Sequence, residues 1–145
     1  MEEDVCVPGG LKARDSKRLV ELVDLYPTLA ELMGLTPPSN LEGRSLKPLL
    51  NDPDAKWDFP AYTQVARGPG HSVRTERWRY TQWASGNRGE ELYDHDGDRQ
   101  EMHNLAKDAK YAAVAAQMKE LLKQVHPKPV QGGKAEPGTR AKYSN

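Results

Sequence analysis

Ser72-Val73-Arg74-Thr75-Glu76-Arg77-Trp78-Arg79-Tyr80-Thr81-Gln82-Trp83, followed shortly by Glu91-Leu92-Tyr93-Asp94, is the stretch that decides the fold. From Arg77 onward the side chains alternate. Trp78 and Tyr80 fall on one face, and Arg77, Arg79 and Thr81 on the other. A period of two is the mark of a strand with one buried face. The stretch holds two of the three tryptophans, and Trp78 and Tyr80 give its buried face large apolar surface. Such a face needs a cover.

Working outward, Ala61 to Val65 reads as a strand, Gly68-Pro69-Gly70 as a turn, and His71 to Thr75 as a second strand. Glu76 is a tight link to the Trp78 strand, and Ala84 to Arg88 a looser link to the Glu91 strand. The result is a four-stranded antiparallel meander. The cover lies downstream, where Tyr111, Val114, Met118, Leu121 and Val125 recur at steps of 3, 4, 3 and 4. That is one face of a helix. Asp108 can cap it, Lys119, Lys123 and His126 suit its C-terminal end, and Pro127 closes it. Upstream, Asp24 is an N-cap candidate that places Pro27 in a first helical turn. Leu25, Leu29 and Leu32, with Met33, then share a face, and Gly34 supplies a left-handed stop. A helix this short must pack on something. Leu41 to Leu50 reads as a turn and a short helical segment, and Asp52-Pro53 as a turn. The expected class is α+β, a four-stranded antiparallel meander packed against a C-terminal amphipathic helix, with a short helix near the N-terminus.

The chain has 145 residues, 37% hydrophobic and 29% charged. That is one small domain with part of the chain outside its core. Residues 1–18 read as the tail end of a strand, a turn and a surface loop, a hint of truncation, 19–126 as the domain itself, and 127–145 as a disordered tail. Basic and acidic residues balance at 21 each, so no global field favours nucleic acid. No apolar run approaches the roughly 18 residues of a membrane span, and the acidic first residues do not read as a signal peptide. The single cysteine, Cys6, excludes an internal disulfide.

Local motifs offer little chemistry. Asp94-His95-Asp96-Gly97-Asp98 invites a calcium loop, but the calcium-loop pattern wants glycine where Arg99 stands and glutamate where Leu105 stands. A solvated turn is the simpler reading. No cation, base or helix start is identifiable beside Cys6 to activate it. His71, His95, His103 and His126 lack metal-ligand spacing. His103 reads as a surface residue. There is no Gly-x-Ser-x-Gly elbow and no phosphate loop. The arginines and aromatics of the hairpin have the chemistry to stack bases or to grip a sulfated or carboxylated sugar.

Several blocks together are similar to the C-terminal subdomain of sulfatases. They are Val20 to Leu32, Leu41-Glu42-Gly43-Arg44-Ser45-Leu46, His71 to Thr75, Trp78-Arg79-Tyr80-Thr81, and Glu91-Leu92-Tyr93-Asp94 followed by Asn104-Leu105-Ala106. Their order and spacing over roughly residues 5–125 most resemble the iduronate-2-sulfatase branch. The resemblance implies a small sheet-and-helix subdomain beside a large N-terminal α/β domain that carries the active site. It implies sulfate-ester hydrolysis by a formylglycine, made from a Cys/Ser-x-Pro-x-Arg motif, with calcium, lysine and histidines stabilising charge. In Cys6-Val7-Pro8-Gly9-Gly10 the last residue stands where that motif has arginine, and the run matches the strand end before the helix block instead. Arg99 stands in a turn where the family usually has proline. The expectation is therefore a sulfatase C-terminal part with no catalytic residue, metal ligand or cofactor of its own. Calcium and formylglycine are implied only for the complete enzyme, and the partner is a missing or separate N-terminal domain. His71 and Arg74, on the strand after the Gly-Pro-Gly turn, are the substrate-cleft candidates, with an ion pair to the large domain as the structural alternative for Arg74. The other function class is a free-standing module that docks a sulfatase-like subunit or binds sulfated polysaccharide. Family members are commonly exported, periplasmic or lysosomal.

Overall fold

The computed structural model describes residues 15–64 and 70–125. The expected strand end near Cys6, Val65, the Gly68-Pro69 part of the first turn, His126 and the tail at 127–145 lie outside the described residues.

The sheet is the expected meander. Its strands are β1 (Ala61–Gln64), β2 (Gly70–Arg74), β3 (Trp78–Trp83) and β4 (Glu90–Asp94), antiparallel in the order β1-β2-β3-β4. The helices are α1 (Leu25–Leu32), α2 (Lys47–Asn51) and α3 (Ala112–Val125). Register stacks Tyr62, Val73, Tyr80 and Leu92 across the strands on one face. Val73, Tyr80 and Leu92 are wholly enclosed, and Met118 and Leu122 of α3 close over them. Each such side chain contributes about 1.5–3 kcal/mol of apolar burial. Trp78 and Tyr111 meet edge to face at the rim, with ring centroids 5.9 Å apart. The expected stripe on α3 holds, with one refinement. Leu122 is more deeply buried than Leu121, because the helix leans its Met118–Leu122 row onto the sheet. Asp108 caps the turn that leads into α3, accepting from the Lys110 N–H at 2.9 Å.

The N-terminal segment forms a second, smaller cluster of Leu46, Leu49 and Trp57. Here the expected packing of α1 is overturned. The residues that α1 buries are Pro27, Thr28 and Ala30, while Leu29, Leu32 and Met33 lie exposed. The reason is polar. Asp24 precedes α1 as expected, but its carboxylate does not cap the helix. It is buried and accepts from the N–H groups of Glu21 (2.9 Å) and Arg44 (2.7 Å). The Thr28 hydroxyl donates to the Asp24 carbonyl and accepts from Leu46 N–H at 2.8 Å. These bonds clamp the Gly43–Leu46 loop against the Asp24–Thr28 side of α1, and the leucines point the other way. Gly34, with φ +73°, ends α1 as expected. Its N–H reaches Glu31 carbonyl and the Leu35 N–H reaches Ala30 carbonyl, the paired bonds of a left-handed helix stop.

Polar ties join the two clusters. Glu21 Oε1 accepts from Tyr62 N–H at the edge strand (2.8 Å), and the Arg18 guanidinium reaches the carbonyls of Asp54 and Ala55 and the carboxylate of Glu76. On the helix side of the sheet, Lys119 Nζ lies 2.6 Å from Glu90 Oε1. That ammonium holds the Glu90 carboxyl below the usual carboxylate range, against a smaller opposing push from burial. The folded form therefore binds its proton less readily than the unfolded chain. The stabilisation is present above the unfolded value of about 4.3 and is lost as pH falls through the lower folded value. Thermal melts between pH 6 and pH 2.5 should show a smaller acid loss in Glu90→Gln than in wild type. An identical acid loss in both would refute this role for the pair.

Candidate functional site

Three surfaces carry side chains that the core does not use. The first is the outer side of α1 and the turn before it. Leu22, Tyr26, Leu29 and Met33 recur at steps of 4, 3 and 4, which is one helical stripe. They are 71%, 57%, 56% and 70% exposed, and Val23, Leu32 and Leu35 flank them, also exposed. Apolar residues scattered singly on a surface need no account, but a stripe of this size marks a contact surface.

The second is the face of the sheet opposite α3. The broad packing of α3 on β2 and β3 takes the Val73–Tyr80 side. Register places Arg74, Arg79 and Tyr93 in one row across β2, β3 and β4, and Ser72, Thr81 and Glu91 in the next. The Thr81 hydroxyl donates to Ser72 Oγ at 3.0 Å, and Trp83 Nε1 donates to Glu91 Oε1 at 3.0 Å. Over the first row lies a turn that the sequence left as polar filler. Glu101 adopts φ +56°, a left-handed backbone that costs a non-glycine residue on the order of 1 kcal/mol. That conformation brings its carboxylate to Arg79 Nη1 (2.9 Å) and to His95 Nε2 (2.8 Å). Arg74 Nη2 lies 3.2 Å from His95 Nδ1. Arginine can only donate, so Nδ1 accepts, and the ring carries its proton on Nε2, facing Glu101. His95 is thus a half-buried bridge between Arg74 and Glu101 rather than part of a solvated turn. Burial, then the neighbouring Arg79 guanidinium, pull the Arg74 pKa below its ordinary value.

The third is the edge around His71. Its Nδ1 lies 2.8 Å from the Tyr62 hydroxyl, and the two rings stack at a centroid distance of 6.2 Å. Burial pushes the Tyr62 hydroxyl pKa up. The two cleft candidates are therefore not one constellation. His71 stands on the α3 side of β2 and Arg74 on the opposite side, as their odd spacing requires.

The acidic residues at the end of β4 and in the turn after it are engaged within the chain. Arg77 forks onto Asp94 at 2.9 and 2.7 Å, and Asp98 accepts from the N–H groups of Met102 and His103. Those backbone donors hold the Asp98 carboxyl below its usual range. The His103 side chain is exposed, 3.6 Å from Asp98. Among the described residues no group of three or more His, Cys, Asp or Glu is arranged to hold a metal, and no helix is long and apolar enough to cross a membrane. Cys6 lies outside the described residues. The described residues offer no carboxylate cluster that fits calcium.

His95, Arg79 and Glu101 carry no motif. Their only sequence signal is that Arg79 alternates away from the core, which leaves it needing a carboxylate.

The chain matches the family described as N-sulphoglucosamine sulphohydrolase, C-terminal, over residues 5–128. It is 39% identical over 107 residues to a Delta 4,5-hexuronate-2-O-sulfatase of Bacteroides thetaiotaomicron, covering 69% of this chain and 22% of that protein. An N-acetylglucosamine-6-O-sulfatase of the same organism is 30% identical over 128 residues, covering 81% of this chain and 23% of that protein. A protein solved in complex with its substrate, D-glucosamine-2-N,6-O-disulfate, superposes with a TM-score of 0.63 at 28% identity, over 70% of this chain and 22% of that one. The chain spans about a fifth of the length of these relatives, and their specificities differ.

Proposed function

Because this chain belongs to the N-sulphoglucosamine sulphohydrolase C-terminal family of sulfatase domains, we propose that it is the C-terminal part of a sulfatase of the iduronate-2-sulfatase type, acting only with a catalytic α/β domain. The observation that carries this reading is the apolar stripe of Leu22, Tyr26, Leu29 and Met33, exposed on a helix that has already used its other side. A larger layer seated on that stripe would remove the exposed apolar surface from water, at about 25 cal/mol per Å². The 2-O-sulfated uronic acid is the favoured substrate, from the 39% identity to the hexuronate-2-O-sulfatase. Formylglycine and calcium belong to the catalytic domain. His71, hydrogen-bonded to Tyr62, and Arg74 stand on opposite faces of the sheet, so a substrate bordered by this part would meet one of them and not both.

The test is a chimera. The C-terminal region of the Bacteroides hexuronate-2-O-sulfatase is replaced by this chain, and hydrolysis of a 2-O-sulfated unsaturated uronide is measured. The expected result is a soluble, active chimera, with Leu29→Glu plus Met33→Glu abolishing both solubility and activity. Burying two charges unpaired costs several kcal/mol. An active chimera indifferent to both glutamates would defeat the docking reading. The isolated chain should hydrolyse no sulfate ester, and turnover by the purified chain would overturn its assignment as non-catalytic.

A further inference from the structure

We propose that His95 is a proton-operated latch on the Arg74 guanidinium. Neutral, the ring holds Arg74 in place; protonated at Nδ1, it releases the guanidinium toward the open side of the sheet. The inference does not rest on the docking of α1.

The latch joins side chains from separate elements. Arg74 comes from β2 and Arg79 from β3, His95 directly follows β4, and Glu101 belongs to the turn beyond it. The His95 side chain is 10% exposed, so water has little access to its nitrogens. Both nitrogens are occupied. Nε2 lies 2.8 Å from Glu101 Oε1, and Nδ1 lies 3.2 Å from Arg74 Nη2. A guanidinium has no lone pair to offer, so this arrangement exists only while Nδ1 is bare. A proton there would set one N–H against another and one cation against another, in a partly dry site where like charges repel strongly.

The two contacts of the ring respond in opposite ways. The bond to Glu101 strengthens on protonation, because its donor becomes a cation. Glu101 is also committed to its place, with φ +56° and its carboxylate 2.9 Å from Arg79 Nη1. The bond to Arg74 is lost. Among the described residues it is the one side-chain hydrogen bond of that guanidinium, whose enclosed Nε–H has no acceptor.

The surrounding charges do not hold Arg74 either. Burial and the Arg79 charge weigh against its cation, Glu101 attracts it from the far side of the ring, and Arg99 adds a smaller repulsion. Glu91, on the same face of the sheet, accepts from Trp83 Nε1. Tyr93, next to Arg79 in the cross-strand row, keeps its proton through burial and then the charges of Glu91, Glu101 and Asp98. Asp94 and Asp96, which flank His95, pair with Arg77, and Asp98 accepts from the N–H groups of Met102 and His103. The guanidinium is therefore the part that moves, and the ring and the Glu101 turn are the parts that stay.

NMR on the purified 145-residue chain reads the latch directly between about pH 8 and pH 5, the interval in which histidines generally change charge. At the upper end the ring nitrogens should show a proton on Nε2 and a bare Nδ1. As pH falls, Nδ1 should take a proton. With the same midpoint, protection of the Arg74 guanidinium protons against exchange, relative to free arginine at each pH, should fall about tenfold, the usual worth of a charged hydrogen bond. The Arg79 protons, held by Glu101, should keep their protection. A proton on Nδ1 at the upper end would overturn the latch. So would a ring that stays neutral throughout, or Arg74 protection that ignores the titration of the ring. His95→Asn is the control, because its carbonyl can stand near the place of Nδ1 and accept, but does not titrate. Arg74 protection should then be flat across the range. A loss that persists in this variant would assign the change to a carboxylate and refute the latch. The wild-type readings decide the matter even where the variant does not fold.

Discussion

Gly43→Ala is expected to lower stability by about 3 kcal/mol, at the upper end for overpacking. A Cβ at this position would stand 2.0 Å from the Val23 carbonyl oxygen, 2.5 Å from its carbon and 3.0 Å from the Asp24 nitrogen. All three are backbone atoms, so no side chain can rotate away. The loop itself must lift, and it carries two of the bonds that orient α1. Arg44 N–H would leave the buried Asp24 carboxylate, and Leu46 N–H would leave the Thr28 hydroxyl. An unsatisfied buried carboxylate adds its own desolvation cost. Urea unfolding should show a lower midpoint with an unchanged slope. A loss below about 0.5 kcal/mol would mean that the loop moves freely and that the clamp is not what turns the leucines outward.

Leu92→Ala should cost as much or more, about 3–4 kcal/mol within the range for buried leucines. Leu92 is fully enclosed between β3 and α3, beside Val73, Tyr80, Met118 and Leu122. Its surroundings resist collapse into the void, because its backbone is pinned on both sides. Leu92 N–H donates to the Asn104 side chain, and its carbonyl accepts from Leu105 N–H. A cavity that cannot shrink is the expensive kind. The melting temperature should fall by roughly 15 °C. A fall of only a few degrees would show that α3 settles into the space. Comparing the two variants by hydrogen exchange also separates the clusters. The ties between them are polar, at Glu21 and Arg18. Gly43→Ala should therefore loosen α1 and α2 first, whereas Leu92→Ala should open the sheet and α3 together.

The meander and the α3 stripe were legible because they answer to local rules. Alternation from Trp78 to Tyr80 told which side of β3 is buried, and the steps from Tyr111 to Val125 told which side of α3 meets it. The blocks from Val20 to Ala106 were enough to read the sulfatase family, and the family match bears that out. The iduronate-2 specificity went further than the relatives, which include both 2-O and 6-O sulfatases. The same pattern reasoning misled at α1. A stripe of Leu25, Leu29 and Leu32 says that a helix has an apolar side, but not whether this chain holds the surface that covers it. The Asp24 and Thr28 bonds decided which side faced inward.

The amino-acid sequence by itself determined the strands, the order in which they pair and the helix that covers them. Each follows from a period of two or of about 3.6 read over neighbouring residues. Only the tertiary structure decided that Glu101 and His95 meet Arg79 and Arg74. It also decided that the leucines of α1 face outward. Those outcomes rest on contacts between residues some twenty positions apart, Arg74 with His95, Arg79 with Glu101 and Asp24 with Arg44. No local period records where a distant carboxylate will come to rest. It is set by which buried charges and backbone donors must be satisfied once the chain has closed.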